Sequence, residues 1–275
     1  MRAEMKKRYL GLILDLDGCV YVDGEPTEGA IEALKKLRGI GVRILYVTNN
    51  PEVTSEDSAS RLRAMGIECS PEEFLTVGEA VARYIASASG PSKLLILTGR
   101  GVEEYCRQMG HRVLSLDEWM EAEYLVVGFD RKISYRRLTS GLRALLSGAK
   151  FIGTNPDAIH PGREGPEPGS GAFIVPFEYM TGMKPLIIGK PSRVIMELAL
   201  RKLGMRADEV LVVGDRIDTD VKAGKAIGAD TAITLTGITR EEDLAEIPRG
   251  LRPTYVFRNL RDLVEKLYEQ NPSSL

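Results

Sequence analysis

Short β-rich runs that alternate with helical patterns most constrain what this chain can fold into. Tyr9–Leu14, Val42–Val47, Leu186–Ile188, Val210–Val213 and Thr231–Thr234 are apolar enough to be strands buried on both faces, with Thr254–Phe257 as an edge. Between them, Ala30–Arg38, Ser55–Met65, Ser192–Leu203, Thr219–Ile227 and Leu260–Glu269 carry apolar residues at helical spacing. Gly41, Gly66, Gly204 and Gly228 stand just beyond four of them as stop signals. This alternation predicts an α/β fold with a parallel sheet.

The middle of the chain repeats the style without repeating the sequence. Leu94–Leu97, Tyr124–Val127 and Phe151–Ile152 are expected strands, and Val77–Ala88, Val102–Met109 and Tyr135–Leu146 expected helices. The stretch 77–180 lacks the strand-end acids of its flanks and is read as a second domain inserted into the first. The first is then discontinuous, over 1–76 and 181–275. One sheet of nine or ten strands is the less natural alternative for a single core. Asn155–Gly171, rich in Pro and Gly, is expected to be a long loop.

In open α/β sheets ligands bind beyond the carboxyl ends of the strands. Those ends carry Asp15-Leu16-Asp17-Gly18, Thr48-Asn49-Asn50, Gly189-Lys190-Pro191, and Gly214-Asp215-Arg216-Ile217-Asp218-Thr219-Asp220. Strand alternation is expected to point Asp15 and Asp17 to the same side. Singly, each end reads as a turn, a solvated lysine or a helix cap. Jointly they supply what phosphoryl transfer through an aspartyl-phosphate needs. Asp15 would be the nucleophile. Asp17 would serve as general acid toward the leaving oxygen and then as base toward water. A carboxylate attacking a phosphate dianion meets like-charge repulsion, so a cation is required. Carboxylates of Asp15 and Asp215, with the main-chain carbonyl of Asp17, suit octahedral Mg²⁺. Thr48 and the Asn49 amide, with Asn50 beside them, are placed to hold phosphate oxygens, and the Lys190 ammonium to neutralise them. Asp220 would orient a metal-bound water or cap the next helix.

These motifs resemble those of the haloacid dehalogenase superfamily in its Asp-x-Asp phosphatase branch. Leu14–Tyr21, Val47–Asn50, Ile188–Ser192 and Gly214–Asp220 are similar in particular to the NagD-like, 4-nitrophenylphosphatase-like subfamily. The resemblance implies a Rossmann-like core, an α/β cap of the C2 type, Mg²⁺-dependent hydrolysis of small phosphorylated metabolites, and a possible homodimer. In the cap, Thr154-Asn155-Pro156-Asp157, Pro161 and Gly169-Ser170-Gly171 resemble the subfamily signature. His160 is the counterpart of a cap histidine that reaches substrate in some members.

Other classes fit less well. A net charge of −2 gives no electrostatic footprint for nucleic acid or an anionic membrane. The apolar run before Asp15 is too short for a signal peptide or a membrane span, and Lys6-Lys7-Arg8 reads as a solvated run. Three scattered cysteines, Cys19, Cys69 and Cys106, point to free thiols and a cytoplasmic setting, and two histidines exclude a His-rich zinc centre. Cys106 and Arg112 match the spacing of cysteine phosphatases, but Cys106 falls inside an expected helix. Gly99-Arg100-Gly101 lacks the third glycine of a dinucleotide fingerprint. A mutase, phosphonatase or dehalogenase could share the core, and Asp17 and Asp215 favour ester hydrolysis over these. A receiver-like signalling module would be ill served by a base beside its phospho-aspartate.

Overall fold

The computed structural model describes residues 8–162 and 165–269. Lys6 and Lys7 lie outside the described residues. The chain divides into two compact units: one from residues up to Thr48, Ala59–Phe74 and Met196 onward, the other from Asn49–Ser58 and Leu75–Ile195.

The first unit is built on a six-stranded sheet. Its order is Tyr255–Phe257, Asp230–Thr234, Val210–Gly214, Gly11–Leu14, Arg43–Thr48 and Phe74–Thr76, the chain leaving this unit within the last of these. Gly11–Leu14 is central and pairs in parallel on both sides, with Leu14 opposite Val213 on one and Tyr46 on the other. Leu12, Leu14, Leu211 and Val213 are buried, which is why these strands read as unbroken apolar runs rather than alternating ones. One face packs on Ala33, Leu34 and Leu37 of the helix Ala30–Gly39 and on Leu260, Leu263 and Val264. Parallel pairing of the five strands other than Phe74–Thr76 puts their carboxyl ends on one edge of the sheet. Leu14 opposite Val213 therefore sets Asp15 beside the turn that begins at Asp215, and the Asp15 N–H donates to the Val213 carbonyl at 2.9 Å.

The second unit has its own parallel sheet of five strands, ordered Leu186–Ile187, Lys150–Gly153, Tyr124–Val127, Lys93–Leu97 and Arg112–Val113. Its core gathers Leu95, Leu97, Leu125, Val127, Phe151, Ile174 and Phe177. Among the described residues, separate sheets of six and five strands, not one of nine or ten, organise the chain.

Several sequence expectations are corrected. Leu186–Ile188 was expected with the strands of the first sheet, but Leu186 and Ile187 pair with Ile152 and Gly153 of the second. An apolar pair fits either sheet; the choice is tertiary. Gly153 makes the pairing close, since a Cβ there would come 2.6 Å from Ile187 Cδ1. Asn155–Gly171 is not a loop throughout: Ile159–Gly162 and Gly165–Pro168 form an antiparallel ribbon with His160 opposite Glu167. Its prolines are tolerated because a two-stranded ribbon has free edges where no N–H is required. The helix Ser170–Thr181 was not foreseen, because Pro176 within it reads as a breaker.

Thr219–Ile227 was expected as one helix. The chain instead makes a wide turn, in which the N–H groups of Asp220 and Val221 both donate to the Arg216 carbonyl, before the regular helix Lys222–Ala226. Such wide turns are frequent at functional sites. Tyr135–Leu146 is observed as expected.

Candidate active site

In the first unit, the strand Gly11–Leu14 ends one residue before Asp15. The chain then turns: the Leu16 carbonyl accepts the N–H groups of Cys19, Val20 and Tyr21, and Leu16 is buried in the core. Asp15 and Asp17 are thus set by a tight turn around an anchored Leu16, not by strand alternation. The Leu16 N–H donates to Asp15 Oδ1 at 2.8 Å, which fixes the rotation of that carboxylate. Asp17 is exposed and bridges to Tyr21.

The neighbouring strand Val210–Gly214 delivers Asp215, buried to 2% exposure. The Ile238 N–H donates to its Oδ2 at 2.7 Å, and the Thr239 N–H to its main-chain carbonyl at 3.1 Å. Both donors lie just after the strand Asp230–Thr234, next in the sheet. The wide turn then brings back Asp220, also buried, whose Oδ2 accepts the Arg216 N–H at 3.2 Å. Oxygens of Asp15, Asp215 and Asp220 all lie within 4.8 Å of one another, and among the described residues no other group of three potential metal ligands does so.

Three glycines make this clustering sterically feasible. A Cβ on Gly18 would come 2.4 Å from Asp215 Oδ2, one on Gly237 2.1 Å from the same oxygen, and one on Gly214 2.2 Å from Asp220 Cγ. Gly18 also has φ of +78°, which a side chain would strain. The donor set fits Mg²⁺: hard carboxylate oxygens on rigid strand ends, close enough to share one ion. Like charges gathered in a largely buried pocket are also the arrangement that a divalent cation stabilises. Asp220 joins the acid group with its side chain, whereas the expected contribution of Asp17 is a main-chain carbonyl. Gly237 and Ile238 were missed by reading strand ends for acids, because this end, Leu235-Thr236-Gly237-Ile238, carries none.

Next to this group, Asp218 takes two hydrogen bonds from the Arg216 guanidinium, at 3.0 and 2.7 Å. Partial desolvation would raise its carboxyl pKa, but the Arg216 contacts outweigh that and hold this largely exposed group below the usual range. Arg216 is thereby turned toward Asp218. Thr48 is buried at the end of Arg43–Thr48, on the other side of the central strand.

The second unit holds Asn49, Asn50, His160 and Lys190. Lys190 is buried, to 3% exposure. Its N–H donates to Asn49 Oδ1 at 2.8 Å and its carbonyl accepts Asn49 Nδ2 at 2.9 Å. The side-chain amide of Asn49 is therefore engaged with Lys190. Asn50 Oδ1 accepts the Glu52 N–H at 2.9 Å and shapes the turn. His160 lies against the Phe129 ring, centroids 5.0 Å apart, with its Nε2 3.8 Å from Glu167. Arg131 also lies over the Phe129 ring, 4.9 Å from its centroid.

Cys106 sits in the helix Arg100–Gln108, and burial, with Glu103 adding to it, pushes its thiol up to about 12. Arg112 is paired with Glu118 and Glu121. No phosphate-cradling cysteine loop exists at this position.

Comparison with known proteins identifies the family. The profile described as haloacid dehalogenase-like hydrolase matches residues 12–112, and a second, HAD-hydrolase-like profile matches 187–263. The acid sugar phosphatase of Staphylococcus haemolyticus (strain JCSC1435) is 35% identical over 261 residues, covering 95% of this chain and 97% of the relative. The chain belongs to the haloacid dehalogenase-like hydrolases. Within them it falls in the NagD-like, 4-nitrophenylphosphatase-like branch. The structure of a p-nitrophenyl phosphatase from Archaeoglobus fulgidus superposes with a TM-score of 0.89 at 43% identity, covering 95% of this chain and all, 100%, of that one. A glycerol phosphate phosphatase from Mycobacterium tuberculosis, in complex with magnesium, gives 0.86 at 30% identity, covering 93% of this chain and 76% of that one. The fold is that of the family: a parallel α/β core with a further α/β portion that includes a small antiparallel ribbon. Among the described residues no helix is long and apolar enough to cross a membrane.

Proposed function

We propose that this chain is a Mg²⁺-dependent phosphatase that hydrolyses small phosphomonoesters through an aspartyl-phosphate on Asp15. The observation that carries the reading is the gathering of the Asp15, Asp215 and Asp220 carboxylates at adjacent strand ends. Asp15 attacks phosphorus with a carboxylate oxygen, forming an acyl-phosphate as the bond to the leaving oxygen breaks. Asp17 gives that oxygen its proton. It then takes a proton from the water that attacks phosphorus, and the bond to Asp15 breaks to release inorganic phosphate. The exposure of Asp17 suits a group that must reach both the leaving alcohol and water. Thr48, with the main-chain N–H groups of Asn49 and Asn50, holds phosphate oxygens, and Lys190 neutralises them. Asp15, Asp215 and Asp220, with the Asp17 carbonyl, would hold Mg²⁺, which when bound would supply positive charge to offset the repulsion between the dianion and the attacking carboxylate.

The second unit, which contains 77–180, would serve as the substrate-selecting cap, and His160 is the cap residue assigned to the leaving group. The substrate is a small phosphorylated metabolite of the sugar-phosphate or glycerol-phosphate kind, as the names of the relatives suggest. The free thiols of Cys19, Cys69 and Cys106 fit a reducing, cytoplasmic setting. Turnover of 4-nitrophenyl phosphate with Mg²⁺ tests the reading: activity should vanish with excess chelator and in Asp15→Asn. Full activity in either condition refutes it.

A further inference from the structure

A chain of hydrogen bonds within the second unit ends on the main chain of Lys190. It begins at Asp157, in the segment Thr154-Asn155-Pro156-Asp157 that follows the strand Lys150–Gly153. The carboxylate Oδ2 of Asp157 accepts one N–H of Asn49 Nδ2 at 3.2 Å and an N–H of Asn155 Nδ2. Asn155 is buried, and its own Oδ1 accepts the Thr154 hydroxyl at 2.9 Å. The other N–H of Asn49 goes to the Lys190 carbonyl, and Asn49 Oδ1 accepts the Lys190 N–H.

This leaves Asn49 one orientation. A peptide N–H only donates and a carbonyl only accepts, so the amide is assigned without ambiguity. Both donors on its nitrogen are used, one by Lys190 and one by Asp157. Turned over, the amide would set oxygen against the Lys190 carbonyl and against the Asp157 carboxylate. The second clash carries a full negative charge and is the stronger of the two.

Asp157 is itself gripped from behind. Its main-chain carbonyl accepts the Gly171 N–H at 2.8 Å, and the Ala158 carbonyl accepts the Gly169 N–H at 2.8 Å, at the start of the helix Ser170–Thr181. A Cβ on Gly169 would come 2.3 Å from the Asp157 carbonyl oxygen, and one on Gly171 2.5 Å from that of Pro156. The Gly169-Ser170-Gly171 triplet therefore has a mechanical reason: it lets a helix start close against the segment that presents Asp157.

We infer that Asp157 is a positioning residue for Lys190: its carboxylate locks the Asn49 amide, and the locked amide seats the peptide from which the Lys190 ammonium projects. The inference rests on the reading of Lys190 as the group that neutralises the phosphate. A small displacement of such a group is costly, because its attraction to the transferring phosphoryl depends on placement.

The test compares Asp157→Leu, Asp157→Asn, Lys190→Met and the double variant Asp157→Leu/Lys190→Met in the full chain with Mg²⁺. Steady-state hydrolysis of 4-nitrophenyl phosphate, competitive inhibition by inorganic phosphate and the thermal midpoint are measured for each. Asp157→Leu removes the acceptor and is expected to lower kcat/KM by roughly tenfold to hundredfold. Inhibition by phosphate should weaken with it. Asp157→Asn keeps a carbonyl acceptor at that place and should recover most of the loss. In the Lys190→Met background, Asp157→Leu should change little more, because its effect passes through the lysine. An equal loss in both backgrounds, or parent-like kinetics for Asp157→Leu beside a crippled Lys190→Met, overturns the inference alone. Parent-like kinetics for Lys190→Met overturns the assignment of the lysine and the inference with it. If Asp157→Leu does not fold, Asp157→Ser, too short to reach Asn49, takes its place in the same comparison.

Discussion

The carboxylate of Asp215 occupies the space that a side chain on Gly237 would fill: a Cβ there would lie 2.1 Å from Asp215 Oδ2. That oxygen also accepts the N–H of Ile238 at 2.7 Å, so the loop after the strand Asp230–Thr234 both makes room for the acid and holds it in place. Gly237→Ala should therefore displace Asp215 while leaving the core intact. The expected outcome is an affinity for Mg²⁺ lowered by roughly tenfold to hundredfold, the range for disturbing groups that orient a metal ligand. Calorimetric Mg²⁺ titration, with the Mg²⁺ dependence of turnover beside it, measures this. Unchanged affinity would show that Asp215 does not hold the ion.

Asp17 is proposed to act twice, but its two roles are not equally demanding with every substrate. 4-Nitrophenolate leaves readily without a proton, so formation of the acyl-phosphate should survive in Asp17→Asn. Attack by water still needs the base, and its loss should slow this step by roughly 10²- to 10⁴-fold. Rapid-quench measurement should then show a burst of about one equivalent of nitrophenolate, with phosphate retained on the protein. A slow linear release with no phosphoprotein would place the proton transfer on another group.

At the start of the helix Ser55–Ala64, Asp57 Oδ2 accepts the N–H and hydroxyl of Thr54, both at 2.8 Å, and the Arg100 guanidinium at 2.7 Å. Burial alone would raise this carboxyl, but the bonds from Thr54 and then Arg100 prevail and hold it below the usual range. A folded value below the unfolded one means the stabilisation is complete above the unfolded value, near 3.9, and fades as pH falls through the folded one. Asp57→Ala should cost about 1 kcal/mol at pH 7, as the loss of a reciprocal helix cap does. The gap between parent and variant should shrink in denaturant titrations near pH 3. A gap that is constant with pH would remove the carboxylate from the account.

Cys106 is buried in its helix with its thiol pushed up to about 12, so little thiolate exists at neutral pH. The expected outcome is that Cys106→Ser hydrolyses 4-nitrophenyl phosphate at the parent rate, and that iodoacetamide at pH 8 modifies the half-buried Cys69 well before Cys106. Peptide mass mapping reads the second result. Loss of turnover in the serine variant would reopen the cysteine route that the spacing to Arg112 suggests.

What could be read from residues alone follows a physical divide. Asp15 and Asp215, whose carboxylates the fold brings together, were legible because each stands just after an apolar run, and the end of a buried parallel strand is where a polar residue has a task. Asp220 was legible as an acid one turn on, but only the wide turn at Arg216 shows that its carboxylate joins those of Asp15 and Asp215. Gly237 and Ile238 carry no chemical signal, since their contribution is an empty volume and a main-chain N–H. Asp157 stood out within a recognisable segment, yet nothing local names Asn49, 108 positions away, as its partner.

By itself, the order of apolar and polar runs determined an α/β chain with its acids at the carboxyl ends of parallel strands, because hydrophobic periodicity and strand polarity are properties of short segments. Only the tertiary structure decided that Leu186–Ile187 pairs in the second sheet, that prolines build a ribbon from Ile159 to Pro168, and that Ser170–Thr181 is helical despite Pro176. Those outcomes depend on which distant surface a segment buries against, and a two-residue strand or an interrupted helix carries too little local preference to settle it.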